Sequence, residues 1–152
     1  MYLKEYLDKY KDKKIKLFVD MDGVIADYDV GIAEHYDKKR PLYTSIKKLE
    51  EISKLPNIEL HILSITRMTI GRDEKNIWLD NYAPFFKKEN RNIISREENN
   101  FTKSNELKLS FFKKLDFTNK KIILIDDDPL ILKTIRNEIE DIVLLKDTVL
   151  VD

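Results

Sequence analysis

The chain has 152 residues, with 28 Lys or Arg balanced by 28 Asp or Glu, so its formal net charge is zero. This length fits one domain, and 42% hydrophobic with 37% charged residues is typical of a soluble globular protein, not a disordered one. The absence of cysteine excludes disulfides, thiolate zinc sites and a cysteine nucleophile, and zero net charge gives no global attraction to nucleic acid or anionic membranes. No apolar run is long enough for a membrane helix and the N-terminus is too charged for a secretory signal, so we expect a cytoplasmic protein without membrane contact.

Strands and helices are predicted to alternate along the chain. An apolar stripe in residues 1–14 predicts an N-terminal amphipathic helix, and residues 28–56 predict a small helical insert. The predicted strands are 15–19, 58–63, 92–95, 121–125 and 142–145, with a candidate edge strand at 149–151, and the predicted helices are 30–38, 44–55, 73–82, 101–115 and 130–138. The inner strands are nearly continuous runs of Ile, Leu and Val. This pattern favours an α/β fold, a parallel sheet covered by helices on both faces, in one domain spanning 1–152.

Polar side chains follow three predicted strands at the points where the strands end. Asp20 and Asp22 follow the first strand, Ser64 follows the second, and residues 126–128, all aspartate, follow the fourth. Parallel strands end at one edge of the sheet, where open α/β sheets bind their ligands. Because carboxylates gathered there repel one another, we expect a cation among them, and ligation by oxygen alone favours Mg²⁺.

Helix capping is another explanation for one of these aspartates. Asp128 stands before Pro129, and an aspartate followed by a proline at the first helical position is a favourable helix start. Capping accounts for Asp128 but not for the two acids before it, which end an apolar strand. We therefore interpret Asp126 and Asp127 as part of a metal or phosphate site.

Three of these segments resemble, in order and spacing, motifs of the haloacid dehalogenase-like (HAD) superfamily. Residues 18–26, Phe-Val-Asp-Met-Asp-Gly-Val-Ile-Ala, resemble its first motif, an apolar strand followed by Asp-x-Asp-Gly-[Thr/Val]. Residues 62–64 resemble the second motif and residues 122–127 the fourth. The resemblance covers nearly the whole chain beyond residue 14. It implies a HAD-like, doubly wound, Rossmann-like sheet with a minimal cap domain or none.

The resemblance also implies the chemistry of a phosphatase. Asp20 would attack phosphorus and form an aspartyl-phosphate, and Asp22 would serve as general acid and then general base. Mg²⁺ would be held by Asp20, by the main-chain carbonyl of Asp22, and by one of Asp126 and Asp127, of which we favour Asp127.

Further residues are assigned to the phosphoryl group by the same resemblance. Ser64 would hydrogen-bond a phosphoryl oxygen, and Gly23 would allow a tight turn whose N–H groups face the phosphate. A lysine should neutralise the phosphoryl group, and both Lys103 and Lys108 precede the acidic pair by about 20 residues. The two would point about 140° apart on one helix unless Lys103 precedes it. We favour Lys108, because its neighbours on both sides are leucines.

The substrate is less constrained by the sequence. About 41 residues separate Asp22 from Ser64, which is too few for a folded cap domain. We therefore expect an open site that admits large substrates or is closed by a partner protein or by a second copy in a homo-oligomer. Arg67 and Arg72 follow the second strand and are candidate substrate clamps, because a guanidinium binds phosphate as a planar fork. An ordinary surface position is the alternative for both.

One nearby group within the superfamily is the 3′-phosphatase domain of phage-type polynucleotide kinase. The chain is similar to it in having Arg67 after Ser64, an aromatic Trp78, and an Arg-Glu pair at residues 96–97 followed by Lys108 twelve residues beyond the arginine. The chain differs from that domain in two respects: the first arginine stands one place later, and a serine replaces an expected acid. Core packing is the preferred explanation for Trp78.

The 5′(3′)-deoxyribonucleotidases are the other nearby group, with a similar Asp-Met-Asp-Gly-Val-x-Ala-Asp opening that Asp27 completes here. Helix capping is the alternative for Asp27. His35 and His61 fall at no strand end, so we expect both to be structural.

Both groups act on nucleotide phosphates. The resemblance thus implies a Mg²⁺-dependent phosphatase for a nucleotide or a polynucleotide 3′-phosphate, with a phosphorylated small molecule or a nucleic-acid end as its partner. Three alternatives stay open: a 5′-deoxyribonucleotidase, a non-catalytic HAD-like binding or regulatory module, and phosphotransfer to an acceptor other than water.

Overall fold

A computed structural model describes residues 2–28 and 35–151 and contains a five-stranded parallel sheet in the order β3-β2-β1-β4-β5. Every predicted inner strand is present. The strands are β1 (Lys14–Val19), β2 (Ile58–Thr66), β3 (Arg91–Ser95), β4 (Lys120–Asp126) and β5 (Val143–Lys146). The chain runs outward from β1 to β3 and then returns to the other side of β1. This reversal between β1 and β4 makes a crevice at the carboxyl edge of the sheet.

Helices join the strands, as the alternating pattern predicts. They are α1 (Leu3–Lys9), α2 (Tyr43–Ser53), α3 (Ile70–Tyr82), α4 (Ser104–Lys113) and α5 (Pro129–Glu138), with short 3-10 turns at Tyr36–Lys38, Lys88–Asn90, Glu97–Asn99 and Asp147–Leu150. No helix in the described ranges is both long and apolar enough to cross a bilayer.

The structure corrects several predicted boundaries. The first helix ends at Lys9, not at residue 14, because β1 already begins at Lys14. The candidate edge strand 149–151 is wrong, since most of it belongs to the 3-10 turn Asp147–Leu150. Of the predicted helix 30–38, residues 30–34 lie outside the described residues, and the end is a 3-10 turn. Within the predicted insert 28–56, the main described element is α2.

Two differences concern the edge of the sheet where the polar residues gather. β2 continues through Ser64 to Thr66, because it stays paired with β3 from Ile62 to Thr66. Helix α4 begins at Ser104, three residues later than predicted, because Asn100 and Phe101 take left-handed backbone angles with φ of 55° and 54°. A left-handed pair cannot belong to a right-handed helix.

Successive strand side chains point to opposite faces, which separates two cores. On one face, Leu17 and Val19 of β1 pack with α1, α2 and α3. On the other face, Phe18 packs with α4 and α5, and its ring meets the ring of Phe112 edge-on at 5.3 Å between centroids. The sheet is therefore covered on both faces, as expected from its apolar inner strands.

His61 is a buried member of the second face, where its ring stacks on Phe18 with centroids 4.7 Å apart. Its Nε2 lies 2.5 Å from a carboxylate oxygen of Glu59, and the side-chain amide of Asn92 approaches its Nδ1 at 3.3 Å. We assign the proton to Nε2, since Nδ1 then accepts from the amide. Burial and the charge of Lys16 lower the pKa of His61, and this outweighs the opposing effect of Glu59. The structural role expected for His61 fits these contacts.

The His61 environment predicts a pH dependence of stability. Its pKa is lower in the folded than in the unfolded protein, so its stabilising contribution is complete above the unfolded value of about 6.5 and is lost as the pH falls through the folded value. We expect the free energy of unfolding in urea to decline less between pH 7.5 and 5 in His61→Gln than in the wild type. The exposed His35→Gln is the control and should keep the wild-type slope; an unchanged slope in His61→Gln would contradict this assignment.

Candidate active site

The reversal of the chain between β1 and β4 brings three carboxylates together. Asp20 follows the last residue of β1, Asp126 ends β4, and Asp127 comes next. One carboxylate oxygen from each lies within 4.8 Å of the others, and Asp20 and Asp126 are buried. Residues more than 100 positions apart in sequence thus form one acidic cluster at the carboxyl edge of the sheet.

A buried lysine partly balances this cluster. The Lys108 ammonium lies 3.1 Å from Asp20 Oδ1 and 2.6 Å from Asp126 Oδ2, and only 1% of the residue is exposed. Phe112, four residues later on the same face of α4, packs against the sheet and fixes the helix that carries Lys108. Burial opposes the charge of Lys108, but the two carboxylates outweigh it and raise its pKa.

The remaining negative charge fits a divalent cation. Burial and the neighbouring Asp20 raise the pKa of Asp126 to about 6 and that of Asp127 to about 7. Asp126 already accepts from the Lys108 ammonium and, at 3.0 Å, from the main-chain N–H of Asp128. Asp127 forms no ion pair with any described residue, so its oxygens are the more available ones. The donor set is all oxygen, which suits a hard cation.

A second buried lysine, Lys75 on α3, was not identified from the sequence. Its ammonium donates to Ser64 Oγ at 2.6 Å and to the carbonyl of Ile65 at 2.9 Å, and it lies 3.4 Å from Asp22 Oδ2. Ser64 is fully buried within β2. Burial lowers the pKa of Lys75 in spite of the nearby aspartates. Lys75 therefore links the serine of the second strand to the second aspartate of the first motif.

The sequence did carry a signal for Lys75. Trp78 and Leu79, three and four positions later, are fully buried, so Lys75 occupies the apolar stripe of an amphipathic helix. A lysine at such a position needs a partner to hold its charge. We predicted that Trp78 packs in the core, and the structure confirms this: it is fully buried, and its Nε1 donates to the carbonyl of Lys39 at 2.9 Å.

Asp22 is held by a second cation as well. The Lys39 ammonium lies 2.6 Å from Asp22 Oδ1, and the ammonium groups of Lys39 and Lys75 lie 4.6 and 5.0 Å from the ring centre of Tyr36. Burial of Asp22 raises its pKa, but Lys75 and Lys39 outweigh burial and lower it. Asp22 is thus stabilised as a carboxylate between two lysines.

Gly23 has the positive φ of 78° that its proposed turn requires. A side chain there would clash with Asp127 Oδ2 and with the Tyr28 ring, so this position needs glycine. The Gly23 N–H donates to the carbonyl of Ala26 at 2.8 Å. The Gly23 N–H is thus used inside the turn, and the glycine keeps space beside Asp127. That N–H groups of this turn face a phosphate stays a prediction.

The four cationic candidates are placed differently by the structure. Lys108 lies within the cluster, whereas Lys103 is exposed and precedes α4 as its N-cap residue. Arg67 is exposed beside the end of β2. Arg72 is not brought to the site, because its guanidinium donates to Glu98 at 2.7 Å and to the carbonyl of Ile93 at 3.1 Å.

The other predicted residues have local partners. Asp27 pairs with Arg40 at 2.9 Å, and Arg96 donates to main-chain carbonyls of its own loop. Glu97 accepts from the main-chain N–H of Thr69. Asp128 caps α5 by accepting from the N–H of Leu130 at 2.9 Å, which confirms the predicted cap.

The cluster opens into a depression of about 170 Å³. Its lining includes several aspartates, Lys108, Tyr28, Ser104 and Ile131. A space of this size accommodates a phosphoryl group, while the remainder of a substrate would extend toward solvent.

No protein-family model and no curated protein matches the chain. A chain of the Pnkp1/Rnl/Hen1 RNA repair complex is similar in structure, with a TM-score of 0.68 and 17% identity over 89% of this chain and 42% of that one. A chain from another structure of the Pnkp1/Rnl/Hen1 complex has the same TM-score and identity over 88% of this chain and 46% of that one.

The HAD domain of the effector protein Lem4 from Legionella pneumophila is also similar, with a TM-score of 0.54 and 13% identity over 88% of this chain and 84% of that one. The chain spans less than half the length of the two repair-complex chains that it matches. At these identities the likeness shows the fold. The five-stranded parallel sheet with its acidic cluster between β1 and β4 therefore has the haloacid dehalogenase-like fold that the sequence motifs predict.

Proposed function

We propose that this chain is a Mg²⁺-dependent phosphatase that hydrolyses the 3′-phosphate of a nucleotide or polynucleotide through an aspartyl-phosphate on Asp20. One observation carries the proposal. Asp20 lines an open depression, and its carboxylate lies next to two further carboxylates and the buried ammonium of Lys108. A nucleophile, a cation site and a fixed positive charge are thus within reach of one phosphoryl group.

In the first step a carboxylate oxygen of Asp20 attacks phosphorus, and the bond to the leaving oxygen breaks with its electron pair. Asp22, when protonated, gives that oxygen a proton. In the second step Asp22 takes a proton from water, which attacks the aspartyl-phosphate and restores the Asp20 carboxylate. Lys108 orients Asp20 through its contact with Oδ1.

The chain offers Mg²⁺ the carboxylates of Asp20 and Asp127 and the main-chain carbonyl of Asp22. When bound, Mg²⁺ offsets negative charge between the nucleophile and the phosphate. Asp126 is not included among these ligands, because its oxygens already accept hydrogen bonds from Lys108 and from the N–H of Asp128.

Ser64 and Lys75 form the second half of the phosphate site. An incoming phosphoryl dianion competes with Asp22 for the Lys75 ammonium, which faces both Asp22 and Ser64. This competition removes part of the charge that keeps Asp22 ionised, so substrate binding favours the protonated form that the first step requires. The buried lysine therefore binds phosphate and makes Asp22 responsive to its presence.

The nucleotide assignment is supported by the sequence pattern and by the open site. Two sequence features resemble motifs of protein groups that act on nucleotide phosphates. They are the opening motif that Asp27 completes and the succession of Ser64, Arg67 and Lys108. The similarity to a chain of an RNA repair complex is in keeping with this substrate class. Arg67 is exposed two residues after Ile65, which lines the depression, and is our proposed clamp for the substrate.

The nucleophile is tested by Asp20→Asn. We expect a loss of about 10³-fold or more in kcat with p-nitrophenyl phosphate and with a 3′-phosphorylated oligonucleotide, because the amide oxygen is a poor nucleophile. Asp8→Asn, on the exposed side of α1, is the matched control and should keep full activity. Retention of the wild-type rate by Asp20→Asn would rule out this nucleophile, and absence of turnover in the wild type on both substrates would favour the binding-module alternative.

Metal binding is tested by thermal unfolding with and without Mg²⁺. We expect Mg²⁺ to raise the Tm of the wild type, since it binds the folded acidic cluster, and Asp127→Asn to abolish that rise. Asp128→Ala is the control: it loses a helix cap, worth about 1 kcal/mol, yet should keep the Mg²⁺ response. A full response in Asp127→Asn would show that Asp127 is not a ligand.

Lys75 is tested by inhibition with inorganic phosphate. A charged hydrogen bond to phosphate is worth about 1.5–3 kcal/mol, so Lys75→Met should raise the inhibition constant roughly 10- to 100-fold, and Lys75→Arg should restore part of the affinity. Lys39→Met is the matched control because Lys39 contacts Asp22 but not Ser64. Equal effects of the two Met variants would mean that Lys75 acts only through Asp22.

A further inference from the structure

The turn that joins β3 to α4 holds an aromatic side chain in an unfavourable backbone conformation. Asn100 and Phe101 both have left-handed angles, with φ of 55° and 54°. Asparagine tolerates this region, but a bulky residue such as phenylalanine does so rarely. Such outliers persist only where surrounding contacts impose them, and they cluster at ligand sites.

Arg96 imposes this conformation. Its guanidinium donates to the carbonyls of Thr102 and Phe101, each at 2.9 Å, and its own carbonyl accepts from the N–H of Phe101 at 2.7 Å. Asn99 closes the turn further, with its side-chain amide donating to the carbonyl of Ser95 at 2.7 Å. The turn is thus built from several mutually supporting hydrogen bonds.

The Phe101 ring gains little packing in return, because 48% of the residue is exposed. A buried ring would offset the backbone cost through hydrophobic contact. An exposed one does so only when something outside the chain covers it. The turn therefore presents Phe101 to solvent at the carboxyl edge of the sheet.

Two exposed cations lie close to this turn along the chain or on the loop that is hydrogen-bonded to it. Arg67 and Lys103 are exposed, and neither side chain forms an ion pair or hydrogen bond with any residue in 2–28 or 35–151. The loop of Arg67 is tied to the Phe101 turn, since Thr66 and Arg67 accept main-chain hydrogen bonds from Arg96 and Glu97 at 2.8 and 3.0 Å. Lys103 follows Phe101 by two residues. One exposed apolar ring and two available positive charges thus lie on connected loops at the same edge of the sheet.

This surface adjoins the active site. Lys103 lines a depression of about 230 Å³ whose lining residues Ser104 and Asp128 also line the depression that contains Asp20. Ser104 lies about 6 Å along α4 from Lys108, and the three residues back to Phe101 span at most about 11 Å. These lengths correspond to the distance from a terminal phosphate to the next one or two nucleotides.

We propose that Phe101, Arg67 and Lys103 form a platform for a single-stranded nucleic acid whose terminal phosphate occupies the active site. The base of a neighbouring nucleotide stacks on Phe101, and the backbone phosphates face Arg67 and Lys103. An exposed flat ring together with two exposed cations on connected loops suits alternating bases and phosphates. An acidic peptide would use the cations and leave the ring without a stacking partner. The inference rests on the proposed function and narrows its substrate from nucleotides to strands.

The test compares Phe101→Asn, which tolerates the left-handed turn but removes the ring, with Phe101→Tyr, which keeps a ring. Tyr2→Asn removes another exposed aromatic, the N-cap residue of α1, and is the matched control. We would measure kcat and KM with a 3′-phosphorylated tetranucleotide, a mononucleoside 3′-phosphate and p-nitrophenyl phosphate. Binding of an unphosphorylated oligonucleotide would be measured separately by fluorescence anisotropy at low and high salt.

For Phe101→Asn we expect KM for the tetranucleotide to rise about fivefold or more at unchanged kcat, with no change for the two small substrates. Its Tm should equal or exceed that of the wild type, because the strain is relieved. Phe101→Tyr and Tyr2→Asn should behave as the wild type. Lys103→Gln should weaken oligonucleotide binding and reduce its salt dependence.

An unchanged KM for the tetranucleotide in Phe101→Asn would overturn the platform, and so would an equal rise for all three substrates. Hydrolysis of an acidic phosphopeptide with the same dependence on Phe101 would overturn the choice of nucleic acid. Failure of the proposed function is distinguishable: a wild type without turnover that still binds the oligonucleotide through Phe101 would uphold the platform and reject the phosphatase.

Discussion

Carboxylates that meet at the carboxyl ends of β1 and β4 must be balanced by positive charge, and much of the site is arranged around this requirement. Asp20, Asp126 and Asp127 lie too close together for all three to remain ionised without compensation, which is why burial and mutual repulsion raise the pKa values of the last two. Lys108 supplies part of the charge from α4. The remainder defines the place where a divalent cation fits and where the charge of a phosphoryl group must be accommodated.

Each face of the sheet contributes one buried lysine to this balance. Lys108 enters from the face covered by α4, and Lys75 enters from the face covered by α3, where it links Ser64 to Asp22. Phe112 and Trp78 lie one helical turn further along the same helices and are fully buried. Helix packing on the two faces therefore fixes the charges around Asp20, so the site depends on both cores being intact.

The sequence predicted the fold and the acidic residues well because both follow from simple patterns: apolar strands alternating with helices, and aspartates where strands end. Lys75 was missed because a single lysine within an apolar helical stripe is easily read as a surface residue. Arg72 was selected because it follows the second strand, although its partner Glu98 lies in the 3-10 turn after β3, and pairing between a helix and a turn 26 residues away is not encoded locally. The left-handed turn at Phe101 was predicted as the start of helix 101–115, because the side-chain hydrogen bonds of Arg96 to the carbonyls of Phe101 and Thr102 leave no periodic signal in the sequence.

The covalent role of Asp20 is the claim on which this account depends most. Mass spectrometry of the protein, acid-quenched during turnover of a 3′-phosphorylated oligonucleotide in the presence of Mg²⁺ and then digested, tests it most directly. The account predicts one added phosphoryl group on the peptide that contains Asp20, absent when substrate is omitted. A phosphoryl group on a different residue, or continued turnover with no phosphorylated peptide, would contradict it.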